Sequence, residues 1–220
     1  MARTVLPTGQ PLVGMHVRLQ LLTQEDLVEL APLLQDPAVY GHGYVMHRHP
    51  SDADDTLVVA RSFLDQHGTV DGRGGGRTAY SVRLATTSPL GHAGTFVGST
   101  SLWEADLHNE RIHLGSTLYG RRWWGTQVNP EAKMLLLAHC FDECGYGRVK
   151  IQTDVLNVRS QAAIARLGAL REGVTRRDMK REDGSFRDSV VFSILADEWP
   201  SVKADLQARL GQREVGVVDA

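Results

Sequence analysis

The residues best suited to chemistry lie in the run Tyr-Gly-Arg-Arg-Trp-Trp-Gly-Thr-Gln-Val-Asn-Pro-Glu-Ala, Tyr119 to Ala132. A strand-like segment, Ile112 to Leu118, leads into it. An apolar segment, Met134 to Phe141, long enough for a buried helix, leads out. Asn129 is a good N-cap, Pro130 suits the first helical position because its missing N–H has no partner there, and Glu131 complements the positive end of the helix dipole. A strand, a glycine turn and a helix start together present backbone N–H groups to an anion. With Arg121 and Arg122 adding charge, and neither ranked above the other, the expected ligand is a phosphate or pyrophosphate. Taken alone, the pattern equally describes an ordinary capped core helix after a tight turn.

The downstream residues are more specific. Arg122-x-x-Gly125 before an apolar helix, then a strand Arg148 to Val155, then Asn157-Val-Arg-Ser160-Gln-Ala-Ala-Ile-Ala-Arg-Leu-Gly168, resembles the GNAT superfamily of acetyl-CoA-dependent N-acetyltransferases. Within that superfamily the chain is most similar to the RimJ/RimL branch, which acetylates ribosomal proteins. The likeness extends from Val17 to Leu210 and is strongest from Ile112 to Trp199.

The resemblance implies an α/β (α+β) fold with a mixed central sheet of six to seven strands, splayed at the cofactor site and flanked by helices. It implies acetyl-CoA as donor, no metal, and direct transfer in a ternary complex to a primary amine, either a protein N-terminus or a small molecule. Arg121, Arg122, Trp123, Trp124, Gly125, Thr126 and Gln127 would form the diphosphate cradle; by their own chemistry and with no basic groove evident, the two tryptophans read as packing the turn onto the sheet rather than as a stacking platform for adenine or nucleic acid. Asn157 would lie beside the pantetheine arm or order a water. Ser160 stands where the branch has a serine suggested to protonate the departing thiolate. Both also explain themselves locally, as a helix cap and a first-turn residue. One position departs from the family: Gln127 fills a slot usually held by Gly or Ala, so its side chain either crowds the phosphates or points away. A non-catalytic acyl-CoA-binding or sensing module on the same scaffold is the alternative reading.

Transfer to an amine needs a neutral nucleophile, and a lysine amine of pKa about 10.4 needs a base more than an N-terminal amine of about 8 does. The candidates are Glu104 at the end of one central strand, His113 on the adjoining strand and Asp178 on the penultimate strand. Where related enzymes are thought to place an acidic base, this chain carries Met179, and in a regular strand Asp178 would face the other way. Removal of the proton through water is the alternative. A backbone amide at a bulge in Ile112 to Leu118 would serve the carbonyl oxygen.

These residues must be positioned by the rest of a 220-residue chain, enough for one domain with a real core. A net charge of -2 argues against a general nucleic-acid or membrane binder. No apolar run would cross a bilayer and the first residues lack a signal-peptide core, so a cytoplasmic location is expected. Cys140 and Cys144 read as buried thiols on one helical face. His42, His47 and His49 fall in a loop without accompanying carboxylates and read as loop histidines rather than metal ligands.

Residues 1–15 read as an extension, 16–210 as the catalytic domain and 211–220 as a loose tail. The elements expected are a strand His16 to Leu22, a helix capped at Thr23 and running to Leu34, and a second helix from Ser51 or Asp52 to His67. A glycine-rich turn, Asp71 to Arg77, precedes an antiparallel meander of Ala79–Thr86, Thr95–Trp103 and Arg111–Leu118. After the helix ending at Gly145 come a strand Val149–Val155, a short helix capped by Asn157, and a hairpin turning at Asp183-Gly184. A terminal helix, Trp199 to Leu210, closes the chain. Homodimerisation through the terminal helix or strands is a further expectation of the resemblance.

Overall fold

Alternating apolar residues build a single sheet in the computed structural model, which describes residues 3–40, 56–61, 76–181 and 183–215. Its strands are β1 (Leu12–Val13), β2 (Val17–Leu21), β3 (Thr78–Leu84), β4 (Phe96–Asp106), β5 (Arg111–Tyr119), β6 (Arg148–Asp154), β7 (Leu170–Lys180) and β8 (Phe186–Leu195). Their order is β1-β2-β3-β4-β5-β6-β8-β7. The sheet thus has eight strands, not six to seven. The added one, β1, pairs only two residues, Leu12 and Val13, with β2, too few for any periodicity to register.

Every neighbouring pair is antiparallel except β5 and β6, as the strand–helix–strand connection between them requires. These two pair only at Arg111–Arg148, Ile112–Val149 and His113–Lys150. Beyond His113 they part.

The two faces of the sheet bury different helices. Ala79, Phe96 and Leu118 pack with Leu27, Leu30 and Leu34 of α1 (Leu27–Gln35), Val39 of α2 (Pro37–Tyr40) and Ala60 of α3 (56–61). Tyr80, Val82, Leu102 and Leu114 face the other way, onto Ala132, Leu136 and Leu137 of α4 (Val128–Ala138) and Leu206 of α6 (Trp199–Val215). A helix α5 (Val158–Ala165) follows β6. Gly98 lets β4 and β5 approach closely, since a Cβ there would lie 1.9 Å from the Leu118 carbonyl oxygen.

Some local expectations need correction. Helix α1 begins at Leu27 because Asp26 is spent on a preceding turn, where its Oδ2 accepts from the Thr23 N–H and hydroxyl at 2.8 and 3.1 Å. Helix α4 begins at Val128 with Gln127 at its N-cap, so Asn129 and Pro130 lie inside the first turn. The cap role falls to Thr126, whose Oγ1 accepts from Val128 N–H at 3.3 Å and donates to the Trp123 carbonyl at 2.7 Å. Glu131 does more than favour the dipole: its buried carboxylate accepts N–H bonds from Met15, His16 and Val17 at 2.7–2.9 Å, tying α4 to the start of β2.

A single wide turn, His139–Glu143, continues α4 up to Gly145, which adopts φ +71. Both cysteines are free and buried there. The terminal helix continues to Val215, past its expected end, burying Trp199, Val202, Leu206 and Leu210. Trp199 stacks on Phe141 and donates to Asp142 Oδ1 at 2.8 Å. The loop histidines, most of the glycine-rich turn and the flanks of the second expected helix lie outside the described residues. Among the described residues, no helix is long and apolar enough to cross a membrane.

Candidate active site

Where β5 and β6 part, a pocket of about 940 Å³ opens between them. It is walled by Leu114–Tyr119 of β5 and Ile151–Thr153 of β6, and it extends to Gly125 and Thr126 at the start of α4 and to Asn157 and Ser160 at the start of α5. Two helix N-termini and the ends of two diverging strands therefore face one space. That arrangement suits a long ligand with an anionic portion.

The residues singled out from sequence divide into two groups around this space. Gly125, with φ +76 and no atom within 4 Å of a notional Cβ, and Thr126 line the pocket near α4. Trp123 and Trp124 line it as well, and both are anchored: Trp123 Nε1 donates to the Leu90 carbonyl at 3.2 Å, and Trp124 Nε1 to that of Tyr119 at 2.8 Å. Arg159 lies 3.3 Å over the Trp124 ring. Gln127 is not among the residues that line the space. Arg121 and Arg122 also stand outside the lining; Arg121 faces Asp36 at 3.6 Å and Arg122 lies over the Trp123 ring at 5.9 Å. Asn157 caps α5, its Oδ1 accepting from Ser160 N–H at 2.9 Å. Both line the pocket.

The second group is on the sheet face opposite α4. His113 is buried and its ring stacks on Trp103 with centroids 4.4 Å apart. Glu104 Oε2 lies 3.4 Å from His113 Nδ1 and accepts from Lys150 Nζ at 2.6 Å. Burial pushes the imidazole pKa down to about 4, so the ring is neutral near pH 7; its Nδ1 lies on the Glu104 side, and neither ring nitrogen has a hydrogen-bond partner among the described residues. The Glu104 carboxyl is held down at about 2, first by its contact with His113 and, against the opposing effect of burial, by Lys150. Asp178 also lines the pocket, beside Met179, and accepts from Gln152 Nε2 at 3.2 Å. The strand is not regular: the register shifts between Thr175 and Met179, and Arg177 takes φ 51. The irregularity brings Asp178 to the pocket from which a regular strand would have turned it.

Bulges recur at the site. In β4 the register shifts between Trp103 and Asp106, where Glu104 takes φ 52. In β5, Ser116 and Thr117 stand opposite the single residue Thr100, and Ser116 takes φ 47. This is a bulge within the expected segment, and it leaves a backbone unit out of the ladder at the pocket wall.

Lys133 is a site residue that the sequence did not single out. It is buried on α4, lines the pocket, and donates from Nζ to Thr100 Oγ1 at 2.9 Å and to Thr117 Oγ1. Burial alone lowers its pKa to about 7. A lysine within an apolar helical run was the available signal. Among the described residues, no cluster of side chains could hold a metal ion.

A sheet opened at its one parallel pair, with a glycine turn and a helix start at the opening, places the protein among acyl-group transferases by its relatives as well as its shape. The chain belongs to the GNAT acetyltransferase family: a family model described as "Acetyltransferase (GNAT) domain" matches residues 16–170. A Bacillus subtilis protein, YdaF, named for ribosomal N-acetyltransferase activity, is 27% identical over 197 residues, covering 87% of this chain and 97% of that one. A crystal structure from T. thermophilus, described as that of an acetyltransferase, superposes with TM-score 0.78 at 32% identity, covering 94% of this chain and 100% of the other. The fold is shared with RimJ of Mycobacterium smegmatis in complex with CoA-disulfide, at TM-score 0.68 and 18% identity over 91% of this chain and 93% of that one.

Proposed function

We propose that this protein is an N-acetyltransferase that moves an acetyl group from acetyl-CoA directly to a primary amine, a protein N-terminus or a small-molecule amine, in a ternary complex. The observation that carries the reading is the parting of β5 from β6 after His113, which opens one pocket joining the Gly125 turn to the base candidates on the opposite face. Gln127, the one departure from the family pattern, does not line that pocket, which is compatible with a bound diphosphate.

Acetyl-CoA supplies the acetyl group as a thioester. The chain's residues do the rest. Gly125, Thr126 and the positive end of α4 hold the diphosphate, while Asn157 lies alongside the arm. The bulge at Ser116 offers a backbone amide to the oxygen on which charge develops. His113, beside Glu104, is the first candidate to take the amine proton; with its pKa held near 4 it is a weak base, so the acceptor it can serve is an amine already largely neutral, such as a peptide N-terminus. Asp178 is the alternative acceptor from the other side of the opening. Ser160, half-buried at the start of α5, gives a proton to the leaving thiolate.

Similarity to a protein named for ribosomal N-acetylation supports a peptide N-terminus as the first acceptor to test. A cytoplasmic location and a homodimer belong to the same reading. The test is thiol release from acetyl-CoA with a panel of short peptides and small amines. Release that depends on both partners supports transfer. Tight CoA binding with no release over the panel favours the binding-module alternative.

A further inference from the structure

Lys133 is an unusual residue to bury. Its Nζ has two threonine hydroxyls as partners and, among the described residues, no carboxylate, although a methionine of similar volume would fill the same space without the cost of desolvating an amine. The geometry around it is specific. Thr100 and Thr117 hydroxyls are 2.8 Å apart, and Thr100 Oγ1 also reaches the Gly115 carbonyl oxygen at 3.4 Å. The lysine therefore grips β5 on both sides of Ser116, directly at Thr117 and through Thr100 at Gly115. Ser116 is the residue in the left-handed region, a conformation that persists in a non-glycine residue only when its surroundings over-determine it.

Resting on the acyl-transfer reading above, we propose that Lys133 is a positioning residue for the thioester: through Thr100 and Thr117 it locks the Ser116 bulge, so that the backbone amide there meets the thioester carbonyl. It acts on the strand and not on the reacting atoms. Removing it releases the bulge while leaving the Gly125 turn and the starts of α4 and α5, where the rest of the donor is held. The loss then falls on turnover and on polarisation of the carbonyl, with donor affinity spared.

The experiment uses the full chain, acetyl-CoA isotopically labelled at its carbonyl carbon, and the variants Lys133→Met and Thr117→Val. Infrared difference spectra read the carbonyl stretch of the bound thioester, and calorimetry reads CoA affinity. Turnover is followed with hydroxylamine, an acceptor already neutral at physiological pH that needs no base. The wild type is expected to lower the carbonyl stretch. Both variants are expected to lose most of that shift and about 10- to 100-fold in turnover, with CoA affinity kept within about threefold. Unchanged carbonyl frequency and turnover in a variant that binds CoA normally would overturn the proposal. Thr117→Val retains the lysine and nearly the same volume, so it decides the question if Lys133→Met does not fold. Failure of the wild type to bind CoA at all would be a distinct result, removing the acyl-transfer reading and this inference with it.

Discussion

Replacing Lys133 by methionine should make the stability of the protein less sensitive to acid, by an amount that follows from the burial of the amine. The folded-state pKa is lowered from 10.5 to about 7 with burial as its cause. A lysine depressed in this way binds its proton more readily in the unfolded chain, so acid favours unfolding. The penalty is absent well above the unfolded pKa, grows by about 1.4 kcal/mol per unit as pH falls from there, and levels off below the folded pKa. Between pH 9 and pH 6 the stability of Lys133→Met relative to wild type should therefore rise by about 2–3 kcal/mol, most of it above pH 7. Loss of the two threonine contacts adds an offset that does not depend on pH, so the change in the gap is the quantity to read. Denaturant unfolding of both proteins at each pH provides it. Other titrating groups are common to both proteins and cancel. A gap that stays constant from pH 9 to pH 6 would show instead that the amine is solvated or paired.

Other substitutions separate the remaining roles. Ser160→Ala should lower turnover by about 100-fold while changing CoA affinity little, as for a group that transfers a proton in the transition state; unchanged turnover would remove it from the mechanism. His113→Asn should cost about 100-fold with a peptide N-terminus as acceptor and little with hydroxylamine, and equal losses with both would assign His113 to packing. Glu131→Ala leaves the N–H groups of Met15, His16 and Val17 without their acceptor, and should destabilise the fold by about 3 kcal/mol in denaturant unfolding. A loss below about 1 kcal/mol would mean that water replaces the carboxylate.

Much of the fold was legible because it rests on local signals. The alternation in Val149 to Val155, the cap at Asn157 and the Asp183-Gly184 turn each express a single physical preference, and each stands within a residue or two of where it was expected. The start of α4 was misplaced because Asn129, Pro130 and Glu131 satisfy cap rules in isolation, whereas Thr126 and the pull of Glu131 toward residues 15–17 decide it in the folded chain. The site was less legible for a related reason. Glu104, Ser116 and Arg177 all take positive φ at bulges, and a serine, glutamate or arginine gives no sequence sign of that conformation. Those bulges bring Glu104 to His113 and Asp178 to the pocket. Lys133 was hidden differently: a lysine in an apolar helical run is an ambiguous signal, and it takes the threonines of the neighbouring strands β4 and β5 to show that its amine is buried.

The most direct test of the account is calorimetric titration of CoA into the wild type and into Gly125→Asp, which adds a negative side chain at the turn where the diphosphate is expected and where a Cβ meets no neighbouring atom. Its φ of +76 makes aspartate there a modest strain that circular dichroism and thermal unfolding would register independently. A diphosphate held at this turn entails micromolar binding to the wild type and its loss by about 100-fold or more in the folded variant. Equal binding by the two proteins, or none by the wild type at millimolar CoA, would contradict it.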